Sequence, residues 1–250
     1  MRKMNGTDLE LIAACLEGLE ETIISKLIDR VQFKSNTVVY VPGKSGFDGE
    51  SNLSLFDLRL RYQEEMDSRF GRFLVPEERP FSENLPPRRR KVNLPPNCLM
   101  IDDYDRVNLT AEIRSRYLEF VSSICEPGDD GQYGSSVEHD VYSIQAVSRR
   151  IHFGALYVAE SKYRRHPEVF NPLIRRRDDS GLIEQLTRKE VEERVLTRVK
   201  EKVDYIQSKI NPKVRTGIDA QKIVSFYREA IIPLTKRGEL LYLQNREGVQ

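Results

Sequence analysis

Apolar residues recur along most of this chain at spacings of three and four. That period puts them on one face of a helix. Leu9, Ile12, Leu16, Leu19, Ile23, Leu27 and Val31 set the first run. They predict a helix from about Asp8, placed to cap it, to about Val31. A Gly/Ser-rich loop should span Ser35–Ser51, and a second helix should run from near Leu53 to Phe70. Residues 74–108 carry Pro80, Pro86, Pro87, Pro95 and Pro96, so a long irregular connection is expected. A third helix covers about Thr110–Ile124, and Pro127–Gly134 reads as a turn-rich break. A long helix then starts near Val137 and places Val147, Ile151, Gly154 and Val158 on one face. Helices recur from Pro167 through Lys209, and a last one spans about Asp219–Leu243. Only Thr37-Val38-Val39-Tyr40 shows strand-like character. The predicted class is all-α, without internal repeats.

Composition narrows this picture. The 250 residues carry a formal net charge of +1, so no global basic field points to nucleic acid. No apolar run approaches the roughly 20 residues that cross a bilayer. The polar first residues, with Asp8 and Glu10 behind them, do not read as a signal peptide. A cytoplasmic protein is the expectation. Cys15, Cys98 and Cys125 form neither a disulfide framework nor a metal pattern, and His139, His152 and His166 lack ligand spacing. Arg88-Arg89-Arg90-Lys91 reads as a solvated charge run or, alternatively, as a localisation or nucleic-acid patch.

The candidate chemistry lies in Ser148-Arg149-Arg150-Ile151-His152-Phe153-Gly154 and the following Val158-Ala159-Glu160-Ser161-Lys162-Tyr163. Cations set among core-type residues need anions. No acidic residue lies between Arg150 and Val158. A bound anionic ligand would supply the missing charge. The structural alternative is an ion pair between Arg150 and Glu192. Thr235 and Glu239, at i and i+4, share a helix face, which is ordinarily a solvated one.

These two blocks resemble the regulated, all-helical chorismate mutases of the eukaryotic type. The resemblance extends over nearly the whole chain. It includes Glu20-Glu21-Thr22-Ile23-Ile24, Ser68-Arg69-Phe70-Gly71-Arg72-Phe73, Pro76-Glu77-Glu78-Arg79-Pro80-Phe81 and Gly131-Gln132-Tyr133-Gly134-Ser135. Val191-Glu192-Glu193 and Ile232-Pro233-Leu234-Thr235-Lys236 continue it. It implies one domain over residues 1–250, a homodimer, and the rearrangement of chorismate to prephenate without a cofactor or metal. By the same resemblance, Arg150 clamps a substrate carboxylate and Lys162 donates to the ether oxygen. Glu192 holds the ring hydroxyl, Thr235 contacts substrate, and Glu239 faces the ether oxygen as a donor when protonated. Arg72, Gly134 and Ser135 match contributors to an aromatic amino acid effector site. Gly71 and Glu138 depart from that site's pattern.

Two departures touch the catalytic set. Ala13 stands where the family carries an arginine for the second carboxylate. Arg188, four residues before Glu192, is a candidate replacement, with a solvated surface arginine as the alternative. Arg150 and Lys162 are also twelve residues apart, one more than in the family. An unbroken helix would swing Lys162 by about 100°. A π-bulge near Gly154-Ala155-Leu156 would restore its direction. Two further functions stay open: a divergent homologue that is inactive or acts on a related enol-ether acid, and a non-catalytic helical module for binding or sensing.

Overall fold

The computed structural model describes residues 8–249. Its helices are α1 (Leu9–Arg30), α2 (Leu55–Phe70), α3 (Thr110–Ile124), α4 (Tyr133–Phe153), α5 (Ala159–Arg165), α6 (Pro167–Arg176), α7 (Asp179–Leu186), α8 (Lys189–Gln207), α9 (Ala220–Phe226) and α10 (Ile232–Gln244). A π-helical turn, Gly154–Val158, joins α4 to α5, and a second, Tyr227–Ile231, joins α9 to α10. No strand occurs among the described residues.

Side chains cap the N-termini of α1, α2, α7 and α9. The Asp8 side chain accepts the Glu10 N–H and opens α1. Ser54 and Asp57 cap α2 reciprocally. Gly71 ends α2 at φ 84°, where an added Cβ would lie 2.6 Å from Val92 Cγ2. Glycine meets both the conformation and the close approach.

Two expectations are corrected. Thr37–Tyr40 is a 3-10 turn rather than a strand. Asn36, in the left-handed region at φ 46°, starts it, and the Tyr40 hydroxyl is drawn inward to Asp140 at 2.7 Å. The long helix begins at Tyr133, four residues earlier than Val137. The preceding loop is fixed by tertiary bonds. Asp130 accepts the N–H groups of Lys34 and Gln132, and its backbone N–H donates to Asn36.

The core has two parts. The larger packs α1, α3, α4, α8 and α9 around Ile24, Leu27, Tyr117, Val141, Ile144 and Val199. The smaller gathers Phe153, Leu156, Tyr163, Leu182 and Tyr242 around the first π turn, α5, α7 and α10. Between α1 and α4 sits an Arg30–Asp140 pair, 2.7 Å apart, with both side chains fully buried. Asp140 also accepts from Tyr40 and Tyr117, and Arg30 donates to the carbonyls of Phe33, Lys34 and Ser35. Removing one member strands a buried charge, which costs about 3–5 kcal/mol. Asp140→Ala should therefore lower the unfolding free energy by about that much in a denaturant titration.

Candidate active site

The site lies where the two parts of the core meet, in a cavity of about 400 Å³. Arg150, Lys162, Glu192, Thr235 and Glu239 all line it, and so do Ala13 and Arg188. The first π turn explains how Lys162 arrives there. It takes up the extra residue between Arg150 and Lys162 without breaking the helix, so the open choice of an unbroken α-helix is resolved.

Arg150 is 4% exposed. One guanidinium nitrogen donates to Thr235 Oγ1 at 2.9 Å, and the group lies over the Tyr227 ring, 5.7 Å from its centre. Arg150 Nε has no hydrogen-bond partner, and no carboxylate among the described residues lies within ion-pair distance of this guanidinium. The alternative Arg150–Glu192 ion pair does not form. Glu192 instead meets Lys236 at 3.0 Å. The Thr235 hydroxyl spends its proton on the Ile231 carbonyl at 2.7 Å and turns a lone pair to Arg150.

Lys162 Nζ donates to Glu239 Oε2 at 2.9 Å and to the Leu186 carbonyl at 2.8 Å. Thr235 and Glu239 are both buried, so their helix face is not solvated. Burial raises the Glu239 carboxyl above its ordinary range, with Lys162, Arg150 and Lys236 pulling the other way. This arrangement sets a carboxyl with a raised pKa beside the Lys162 amino group. Together they can present two donors to one oxygen of a ligand.

Two glycines let α10 approach the first π turn. A Cβ on Gly154 would lie 2.8 Å from Thr235 Cγ2, and one on Gly238 would lie 2.5 Å from Ala155 Cβ. Gly154→Ala should push Thr235 away from Arg150. Overpacking of this kind costs about 1–3 kcal/mol. Thermal denaturation together with ligand affinity would register it. The second π turn precedes Pro233, which has no N–H for the usual helical bond. The Ile232 N–H reaches Tyr227 O, five residues back.

Arg188 is exposed at the cavity mouth and has no ion-pair partner among the described residues. The effector candidates do not come together within one protomer. Arg72 is held by Asp67 at 2.7 Å, Glu78 at 2.9 Å and Gln145 at 2.8 Å. Gly134 and Ser135 are exposed in the first turn of α4, about 16 Å along that helix from Gln145. Sequence reasoning passed over Lys236, Tyr227, Arg165 and His166. Of these, Arg165 and His166 carried a usable signal, since they follow Lys162 at i+3 and i+4.

Fold and cavity together define an all-helical protein whose buried cation awaits an anion and whose inner wall carries paired donors. No protein-family model matches the chain. It is 37% identical over 253 residues to the chorismate mutase of Schizosaccharomyces pombe, covering 95% of this chain and 96% of that one. The solved chorismate mutase of Candida albicans, complexed with L-tryptophan, superposes with a TM-score of 0.90 at 31% identity, covering 98% of this chain and 94% of that one. The structure of AtCM1 with tyrosine bound in its allosteric site gives 0.83 at 30% identity, covering 97% of each chain. The chain belongs to the chorismate mutase family.

Proposed function

We propose that this protein rearranges chorismate to prephenate, as an isomerase serving phenylalanine and tyrosine synthesis. The observation that carries the reading is Arg150, a buried guanidinium with no carboxylate in ion-pair contact among the described residues. The reaction is intramolecular, so the protein supplies no nucleophile. It holds a compact conformer and stabilises charge growing on the ether oxygen. Arg150 clamps one carboxylate, with Thr235 fixing its guanidinium. Lys162 and protonated Glu239 donate to the ether oxygen, and Glu192, steadied by Lys236, accepts from the ring hydroxyl. The chain acts as one catalytic domain.

Arg188 takes the place of the arginine that Ala13 replaces. Arg188→Ala should then raise KM for chorismate about tenfold, the equivalent of one weakened charge-assisted bond. Ala13→Arg should bring no gain, because it would crowd like charge into the mouth. Turnover of both variants beside wild type checks this. The primary test is disappearance of chorismate with purified protein. Ligand-induced stabilisation without turnover would instead favour the divergent, non-catalytic reading that Ala13 suggests.

The proposal extends to a homodimer regulated by an aromatic amino acid. Tyr62, Met66 and Phe70 form an exposed stripe on α2 at spacings of four, which calls for a partner surface. Arg72 at the end of that stripe, and Gly134 and Ser135 from the second protomer, would hold the effector. The relatives crystallised with L-tryptophan and with tyrosine support this. A cytoplasmic location is part of the same proposal. Cys15, Cys98 and Cys125 form no disulfide among the described residues, as suits a reducing compartment. No helix among the described residues is long and apolar enough to cross a membrane.

A further inference from the structure

The cavity's charges do not cancel. Five basic side chains line it, Arg150, Lys162, Arg165, Arg188 and Lys236, against two carboxyl groups, Glu192 and Glu239. Each carboxylate already has a partner: Glu239 pairs with Lys162 and Glu192 with Lys236. Arg150, Arg165 and Arg188 are left with no anion among the described residues. Arg150 is deep, whereas Arg165 and Arg188 are exposed at the mouth.

The backbone explains why Arg165 faces inward. It lies three residues after Lys162, so the two share a helix face. The π turn that aims Lys162 into the cavity aims Arg165 with it. Arg188 is the residue before α8, outside its helical turns, and lines the cavity with Glu192. The wall from α1 carries no charge, since Leu9, Ile12, Ala13 and Leu16 form it. Among the described residues, the cations left for a ligand's second anionic group are Arg165 at the end of α5 and Arg188 just before α8.

Resting on the function proposed above, we propose that Arg165, acting with Arg188, is the second anion-binding residue of the site and selects dicarboxylates over monocarboxylates. Arg150 takes the deep carboxylate. Arg165 and Arg188 take the outer one from the two sides of the mouth. A guanidinium suits this role because it can bind a carboxylate bidentately.

Calorimetry with prephenate, a dicarboxylate, and phenylpyruvate, a monocarboxylate, tests this without depending on turnover. Arg165→Gln should weaken prephenate binding about tenfold, as losing a charge-assisted bond at an exposed site would. Phenylpyruvate binding should not change, and Arg165→Lys should recover part of the loss. In steady state the Gln variant should raise KM for chorismate with kcat nearly intact, because a ground-state clamp binds substrate and transition state alike. Arg165 is exposed and forms no ion pair among the described residues, so Tm should stay put. Equal prephenate affinity in wild type and Arg165→Gln overturns the inference, as does an equal loss for both ligands. If wild type binds prephenate but leaves chorismate unchanged, the function above fails while the affinity comparison still reads Arg165. Failure of wild type to bind prephenate at all overturns both.

Discussion

Arg150→Ala should abolish chorismate turnover while leaving the protein folded. Losing a charge-assisted bond costs about 1.5–3 kcal/mol, and more where the ligand's charge stays buried and unpaired. At about 1.4 kcal/mol per decade of rate, the expected fall in kcat/KM is on the order of 100-fold or greater. Stability should move the other way. Arg150 is buried with no carboxylate in ion-pair contact among the described residues, so the Thr235 bond, the Tyr227 ring and the field of Glu239 offset only part of its desolvation. Removing it should leave Tm unchanged or raise it. An arginine that served only the fold would show the reverse, a lower Tm with turnover retained in the surviving native protein. Measuring kcat/KM and Tm on one preparation separates the two.

The second large effect concerns Glu239. Burial holds its carboxyl above the ordinary range, against the pull of Lys162, Arg150 and Lys236. The protonated form is the one that can donate to an ether oxygen. Activity should therefore fall as pH rises through the raised pKa. Glu239→Gln donates an N–H at every pH, so it should keep turnover and flatten that alkaline limb. Glu239→Ala removes the donor, and losing one such donor costs about 100- to 1,000-fold in kcat. The stability sign follows from the same shift. A carboxyl whose folded pKa is raised contributes stability that is full below its unfolded pKa and is lost as pH rises through the folded one. Above that window the Gln variant should match or exceed the wild type in unfolding free energy. A flat pH–rate profile for wild type, or a dead Gln variant, would contradict this role.

How far the sequence reached depended on how local the cause was. α1, α2 and α3 were legible because the three-four apolar period is local to each helix, with the Asp8 cap marking the start of α1. Thr110–Ile124 has the predicted bounds. The start of α4 was not legible, because Asp130 fixes its loop through Lys34 and Asn36, almost a hundred residues away. Thr37–Tyr40 is too short for its period to separate strand from turn, and its fate depends on the distant Asp140. The site residues were quoted from a family block. Their convergence on one cavity needed the structure, as did the pairing of Lys236 with Glu192. The direction of Lys162 hung on whether the backbone between it and Arg150 stays regular, and spacing allows both answers. The effector candidates Arg72, Gly134 and Ser135 do not converge within the described structure.

The first π turn has a consequence beyond aiming one lysine. Inserting a residue into a helix ordinarily re-addresses every side chain after it. Here the surplus is confined to five residues, and α5 leaves it with its faces still directed at α10 and the cavity. Sequence length and spatial address are thereby separable at this point. The helix can gain a residue without the downstream bundle learning of it, and it should be able to lose one as well. Excising a single residue from the turn should yield a continuous α-helix with Lys162 still beside Glu239. The segment is thus a slip joint, where the lineage can change the helix's register count while its chemistry stays in place.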